Sequence, residues 1–239
     1  GLLYTARSTD NGMEFLLERG NGTSIHLDEA KTGNSKELGN VAFFIAGGVG
    51  KKRMRADASE RESKNWRTVA TISSEKPMSS IVQEANTAEV SGLHVRMPAI
   101  DVSGLTPLAA SEAADIRQWL LRNYGFGGPL FVKALIDLGY HKDATGLRER
   151  IDQRQAELLE ATNLPTVERA ARQFAILWVC GDVMREAGII EMETDKFGDA
   201  VQWAWEAWLN GDDARKLAPV SDSVETLIAY LQNNPGTVV

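Results

Sequence analysis

One cysteine, Cys180, in 239 residues excludes a disulfide framework within the chain. Only three histidines are present, His26, His94 and His141. They are scattered, and with that cysteine they offer no ligand spacing for zinc. Long apolar runs are also missing. A stretch such as Val41–Val49 is far short of the ~20 residues that cross a bilayer. The opening GLLYTARST lacks the basic and then apolar order of a secretory signal. These absences lead us to expect a reducing, cytoplasmic setting and no membrane partner.

What is present is the composition of a soluble globular chain, 43% hydrophobic and 25% charged. A chain of this length buries roughly 70–75% of its unfolded surface and needs no staple. The net charge of −7 is unevenly spread. From Ala175 to Val239, eleven acidic residues face four basic ones, whereas residues 1–174 are neutral overall. Within the neutral part, Gly50–Arg67 holds seven basic residues (Lys51, Lys52, Arg53, Arg55, Arg61, Lys64, Arg67) against three acidic. If the protein touches nucleic acid, this segment is the expected contact. A solvated loop accounts for the same charges.

The pattern changes near residue 104. Before it, short β-like runs alternate with helical ones: Leu2–Ala6, Ser24–Leu27, Arg67–Ser73 and Leu93–Ile100 read as strands. Met13–Arg19, Lys36–Ala46 and Pro77–Asn86 read as helices, and Gly20–Gly22 and Gly47-Gly48 as their stops. After it no strand is convincing. Ser111–Tyr124, with the stripe Ala114, Ile116, Leu120 and Leu121, reads as a helix broken by Gly125–Pro129. Leu130–Leu138, Thr145–Thr162, Val167–Ala187, Asp195–Leu209 and Ser221–Gln232 follow as further helices. The expected organisation is an α/β domain over residues 1–104 and an all-α domain over 105–239.

One motif carries chemistry. Ser24-Ile25-His26-Leu27-Asp28-Glu29 is an apolar strand ending in two carboxylates. The Walker B motif of P-loop ATPases has this form. There the Asp holds hydrated Mg²⁺ of MgATP and the Glu activates the attacking water. Two solvated acids at an ordinary strand end have the same sequence. About forty residues on, the strand of Arg67–Ser73 ends in Ser73-Ser74-Glu75, where such ATPases place a polar sensor of the γ-phosphate. A cap or turn before Pro77 is the plainer reading of those serines. Strand, helix, basic segment and strand suit neighbouring parallel strands.

Taken in order, TARSTDNGMEF, IHLDEA, VAFFIAGGVGKKRMR, NWRTVATISSEKP and SGLHVRMPAID resemble the C-terminal half of the DUF927 family of helicase-like P-loop ATPases of mobile elements. The family pattern T-x-N-G-x-E, L-D-E, N-G-x-G-K-x-R, W-R, S-T-G-E and R-x-x-x-x-P falls at Thr9–Glu14, Leu27–Glu29, Gly47–Arg53, Trp66-Arg67, Ser73–Glu75 and Arg96–Asp101. The helical tail is similar too, so the resemblance covers nearly the whole chain. It departs from the family at Ser73-Ser74-Glu75, which stands where the family has Ser-Thr-Gly-Glu.

The resemblance implies a partial P-loop sheet of the RecA or AAA type, followed by a helical domain, in a nucleic-acid-dependent ATPase. It implies Asp28 as the Mg²⁺ and nucleotide residue, Glu29 as base and Ser73 or Ser74 as sensor. Arg96, like Arg53, is a candidate for a catalytic arginine supplied across a subunit interface to the γ-phosphate, and a surface ion pair is the plainer reading of each. Lys51, Arg53 and Arg55 would contact nucleic acid or a neighbouring subunit of a homo-oligomer. The phosphate loop G-x-x-x-x-G-K-[ST] has no counterpart in the chain. Gly50-Lys51 does not supply it, because Ile45 stands where a Gly is required and Lys52 where a Ser or Thr is. The chain is therefore expected to be a fragment, with Mg²⁺ and ATP bound in the full-length parent and no hydrolysis by this part alone.

The strand order implied by the family puts Leu2–Ala6 and Ser24–Leu27 on the far side of the sensor strand. It also leaves a vacancy between the sensor strand and Leu93–Ile100, to be closed by direct pairing, by dimerisation or by movement of Leu2–Ala6. The alternative function is a non-catalytic helical adaptor that binds a partner protein through the acidic C-terminal third. Trp203, Trp205 and Trp208 there have the spacing of a packing face more than of a base-stacking surface. Cys180 reads as a small buried hydrophobe, and His26 as buried and hydrogen-bonded.

Overall fold

In the computed structural model the described residues are 2–5, 10–28, 45–51, 53–54, 60–61, 63–75, 80, 92–192, 196–215 and 217. The chain divides into two compact units, Gly1–Ala99 and Ile100–Val239. The expected helices at Lys36–Ala46, Pro77–Asn86 and Ser221–Gln232 lie mostly or wholly outside the described residues.

The first unit is built on a parallel sheet. Strands β1 (Leu2–Thr5), β2 (Ser24–Asp28) and β5 (Val69–Ile72) lie side by side in the order β1-β2-β5. Thr5 is in register with Asp28, and Leu27 with Ile72. Helix α1 (Asp10–Arg19) connects β1 to β2. It ends where Gly20 donates to the Leu16 carbonyl and Gly22 takes φ +78°, a left-handed turn that glycine enters without steric cost. Met13 and Leu17 of α1, Ile25 and Leu27 of β2, and Trp66 form one buried cluster, with Ile45 and Ile72 against it. Alternation along β2 sends Ile25 and Leu27 into this cluster and leaves His26 and Asp28 on the other, exposed face.

Two readings of this unit are corrected. Leu93–Ile100 is not a strand: Gly92–Arg96 is a short helix, α2, and residues 98–100 have no regular structure. Five residues alternating apolar and polar fit either period. Here the helix wins; the Arg96 guanidinium donates to the Gly92 carbonyl at 2.8 Å across its single turn, and Pro98 ends the element. Leu93–Ile100 thus takes no part in the sheet, and the expected closure of β5 onto it does not occur. The second correction is the basic segment. Read as a loop, it carries among its described residues an antiparallel pairing of β3 (Arg53–Met54) with β4 (Glu60–Arg61), the arms of a hairpin.

The second unit is all-α. Its helices are α3 (Ala110–Arg122), α4 (Gly127–Asp137), α5 (Thr145–Leu159), α6 (Glu168–Glu186), α7 (Lys196–Leu209) and the short α8 (Asp212–Arg215). α4 starts earlier than its sequence suggests, at Gly127. Gly125 takes the positive-φ turn, and Pro129 sits in the first helical turn, where a missing N–H costs nothing. α5 and α6 are tied by ion pairs. Arg150 forks onto both oxygens of Glu186 at 3.0 and 2.7 Å, and Arg154 reaches Asp182 at 3.3 Å while lying over the Trp178 ring.

Trp205 and Trp208 are fully buried, their rings 5.3 Å apart, and the Trp205 indole donates to the Leu158 carbonyl at 2.9 Å. Trp203 is 42% exposed, so the packing face is the i, i+3 pair. α3 differs from its expectation. Its apolar stripe exists, but among the described residues the helix buries none of its side chains.

Candidate functional site

The carboxyl edge of the sheet is where the chemistry-bearing residues converge. The Ser73 amide donates to the Leu27 carbonyl at 3.0 Å, which carries the β2–β5 ladder one step beyond Ile72. That step sets Ser73 beside Asp28, and its Oγ donates to Asp28 Oδ1 at 2.5 Å. Two residues earlier on the same exposed face, His26 Nδ1 and Thr71 Oγ1 are hydrogen-bonded at 2.5 Å, and Ser24 Oγ lies 3.4 Å from His26 Nε2. His26 is therefore hydrogen-bonded as expected but exposed, because the strand alternation that buries Ile25 and Leu27 turns it outward. Ser74 is exposed next to the pair.

Glu29 and Arg55 lie outside the described residues, so only part of the expected constellation has a described geometry. Arg96 is half-buried on α2. Among the described residues no group of three His, Cys, Asp or Glu side chains could hold a metal ion. An exposed carboxylate beside a hydroxyl suits Mg²⁺, which keeps most of its water and takes one or two protein oxygens together with substrate phosphates.

The basic segment is assembled on a separate support. Gly48, at φ +68°, hinges the entry. Val49 then bridges to Asn65, and the same antiparallel register continues through Arg53 against Arg61 and Met54 against Glu60. The base is fixed by main chain: Gly50 donates to the Lys64 carbonyl at 2.7 Å, and Trp66 to Gly48 at 3.0 Å. The Trp66 indole, buried in the sheet cluster, donates to the Ile45 carbonyl at 3.2 Å. Lys64 pairs with Glu18 at 2.5 Å and lies over the Phe15 ring, so its charge is neutralised within the unit. Lys51 is exposed, and its amide donates to Glu14 Oε1 at 2.8 Å.

Glu14 closes the T-x-N-G-x-E pattern at Thr9–Glu14, but its burial and its bond to Lys51 were not read from the sequence. It lies one residue from Met13 and three from Leu17 on a 3.6-residue wheel, so an acid on the apolar side of α1 was the available signal.

Residues 1–65 match the family model of DUF927, a domain of unknown function. No curated protein matches the chain. A solved structure, that of the SCCmec type IV Cch active helicase, superposes with a TM-score of 0.65 at 18% identity, over 98% of this chain. The chain spans 40% of the length of that helicase. At this identity the likeness shows the fold. Among the described residues no helix is long and apolar enough to cross a membrane. The resemblance to DUF927 read from the motifs is thus shown over residues 1–65, in a chain that shares its fold with part of a helicase.

Proposed function

We propose that this chain is the carboxylate-bearing and helical portion of a nucleic-acid-dependent ATPase of helicase type. The observation that carries the reading is the Ser73 to Asp28 hydrogen bond at the carboxyl ends of adjacent parallel strands. Open parallel sheets bind ligands at that edge. Asp28 would orient hydrated Mg²⁺ of MgATP, which supplies charge neutralisation on the phosphates. Ser73, already bonded to Asp28, would sense the γ-phosphate, with Ser74 next to it. Glu29 would take the proton of the attacking water, and Arg96 would be a further catalytic arginine. Lys51 and Arg53 of the hairpin, together with Arg55, would contact nucleic acid or the nucleotide of a neighbouring copy.

Electrostatic stabilisation of the transferring phosphoryl group supplies most of such catalysis. The amides and lysine of a phosphate loop are its main donors, and the sequence contains no such loop. The 239 residues by themselves are therefore a non-hydrolysing part.

The coding sequence upstream of Gly1 tests the reading. A G-x-x-x-x-G-K-[ST] motif within about 60 residues is expected, and a start codon immediately before that of Gly1 sinks the reading. In a polypeptide that includes the motif, Asp28→Asn and Glu29→Gln should each lower ATP turnover by about 100-fold or more. A helical protein-binding module is the second reading, favoured by the uncovered α3. Ile116, Trp119, Leu120 and Leu121 are each between 48% and 62% exposed.

A further inference from the structure

Glu14 is a buried carboxylate that the proposed chemistry does not use. It is 1% exposed and neighbours the core residues Met13 and Leu17 on α1. A carboxylate is kept from water only where hydrogen bonds compensate. Its Oε1 accepts the Lys51 backbone N–H at 2.8 Å, a charge-assisted bond across 37 residues of sequence. Lys51 stands where the hairpin leaves its base: Gly50 before it donates to Lys64, and β3 begins two residues after it.

The carboxylate lies directly against that strand. A Cβ added at Gly50 would stand 3.3 Å from Glu14 Cδ. One turn along α1, Glu18 pairs with Lys64, whose carbonyl faces Gly50 on the opposite arm of the hairpin base. α1 therefore grips both arms of the hairpin base, and Glu14 grips the backbone, leaving the basic side chain of Lys51 at the surface.

We propose that Glu14 is a positioning residue for nucleic-acid binding: by fixing the Lys51 amide it sets the direction in which the basic hairpin projects. The inference rests on the reading of the hairpin as the nucleic-acid contact. The last described rung, Met54 against Glu60, is three residues from Lys51, or about 10 Å. A change of direction at Lys51 grows along that length, and phosphate contacts depend on where each charge is presented.

The test compares Glu14→Ala and Glu14→Gln in the 239-residue chain. Amide hydrogen exchange and the binding of a labelled single-stranded DNA 20-mer over a salt series are the readouts. In Glu14→Ala, the amides of Lys51, Arg53 and Met54 should exchange about tenfold faster or more, while those of Ile25, Leu27 and Ser73 keep their protection. DNA affinity should fall about tenfold at low salt. Glu14→Gln still offers an oxygen to the Lys51 amide and should stay within about threefold of the parent in both readouts.

Sheet and hairpin loosening together in Glu14→Ala would show a merely structural residue and overturn the proposal. So would an unchanged hairpin exchange, or a loosened hairpin that binds DNA as before. A parent chain that binds no DNA overturns the functional reading underneath. That result is told apart because it appears before any substitution is made.

Discussion

Ser73 and Asp28 meet across two parallel strands, the serine hydroxyl donating to the carboxylate at 2.5 Å. The contact is set by register, since Ser73 follows the last ladder pair, Leu27 with Ile72, and side chains paired across a sheet share a face. In the proposed ATPase this bond must be exchanged when the γ-phosphate arrives, because the Ser73 hydroxyl has a single proton to donate and Asp28 holds it. Ser73→Ala should cost the isolated chain little, about 0.5–1 kcal/mol for an exposed pair, read as a shift in urea midpoint. In a polypeptide that includes a phosphate loop, the same substitution should lower turnover more than it lowers MgATP affinity. A loss of affinity with unchanged turnover would count against the sensor role.

ATP hydrolysis by the 239 residues should be indistinguishable from background in a phosphate-release assay with Mg²⁺ and DNA present. The sequence holds none of the G-x-x-x-x-G-K-[ST] donors that carry transition-state charge. Turnover that vanished in Glu29→Gln would show that the chain grips phosphate by other means.

Nucleic-acid binding, on the proposed reading, depends on the hairpin. Replacing Lys51, Arg53 and Arg55 by alanine together should flatten the slope of log affinity against log salt by up to roughly two to three units. Lys64→Ala should leave the slope unchanged, because Glu18 already neutralises that lysine. A slope that changes with Lys64 and not with the triple variant would move the contact to the base of the hairpin.

The hairpin also shows where sequence patterns stop. β1, β2 and β5 were legible as short runs of apolar and β-branched residues, and α5 to α7 because their helical patterns run for fourteen residues or more. β3 and β4 carry Arg, Met, Glu and Arg, residues with little strand preference, and are two residues each. Their pairing is imposed from outside, by Trp66 in the core and Glu14 on α1, and no local window contains those anchors. α2 failed differently, since five residues cannot separate a period of 2 from one of 3.6. Of the candidate site, the Asp28–Ser73 meeting followed from the order of the strands. The carboxylate under the hairpin did not, because acids in helices are ordinarily at the surface.

Helices α6 and α7 interlock through a reciprocal glycine and aromatic contact. A Cβ at Gly181 of α6 would overlap the Phe197 ring, and one at Gly198 of α7 would stand 3.0 Å from Trp178. Gly181 is fully buried in the helix interior, where alanine would otherwise be preferred by about 1 kcal/mol. Gly181→Ala should therefore reverse the usual helix-propensity gain and destabilise by about 1–3 kcal/mol, as overpacking does. Thermal melts of Gly181→Ala and of the exposed control Gly146→Ala check this. A rise in midpoint for Gly181→Ala would mean that the two helices separate without cost.

Cys180, half-buried on α6, gives the pH prediction. Burial pushes its thiol above the ordinary cysteine range, because the thiolate is poorly solvated there. The folded value is the higher one, so the folded state favours the protonated thiol. The associated stability is complete below the unfolded thiol's value, about 8.5, and is lost as pH rises through the folded value. Between pH 8 and 10 the parent should therefore lose more stability than Cys180→Ala, in which no thiol titrates. Alkylation by iodoacetamide at pH 8 should likewise be at least about threefold slower in the folded chain than in urea, since only the thiolate reacts. Equal alkylation rates in the two states, with parallel pH profiles for parent and variant, would mean that Cys180 titrates as a solvent-exposed thiol and that α6 opens at this position.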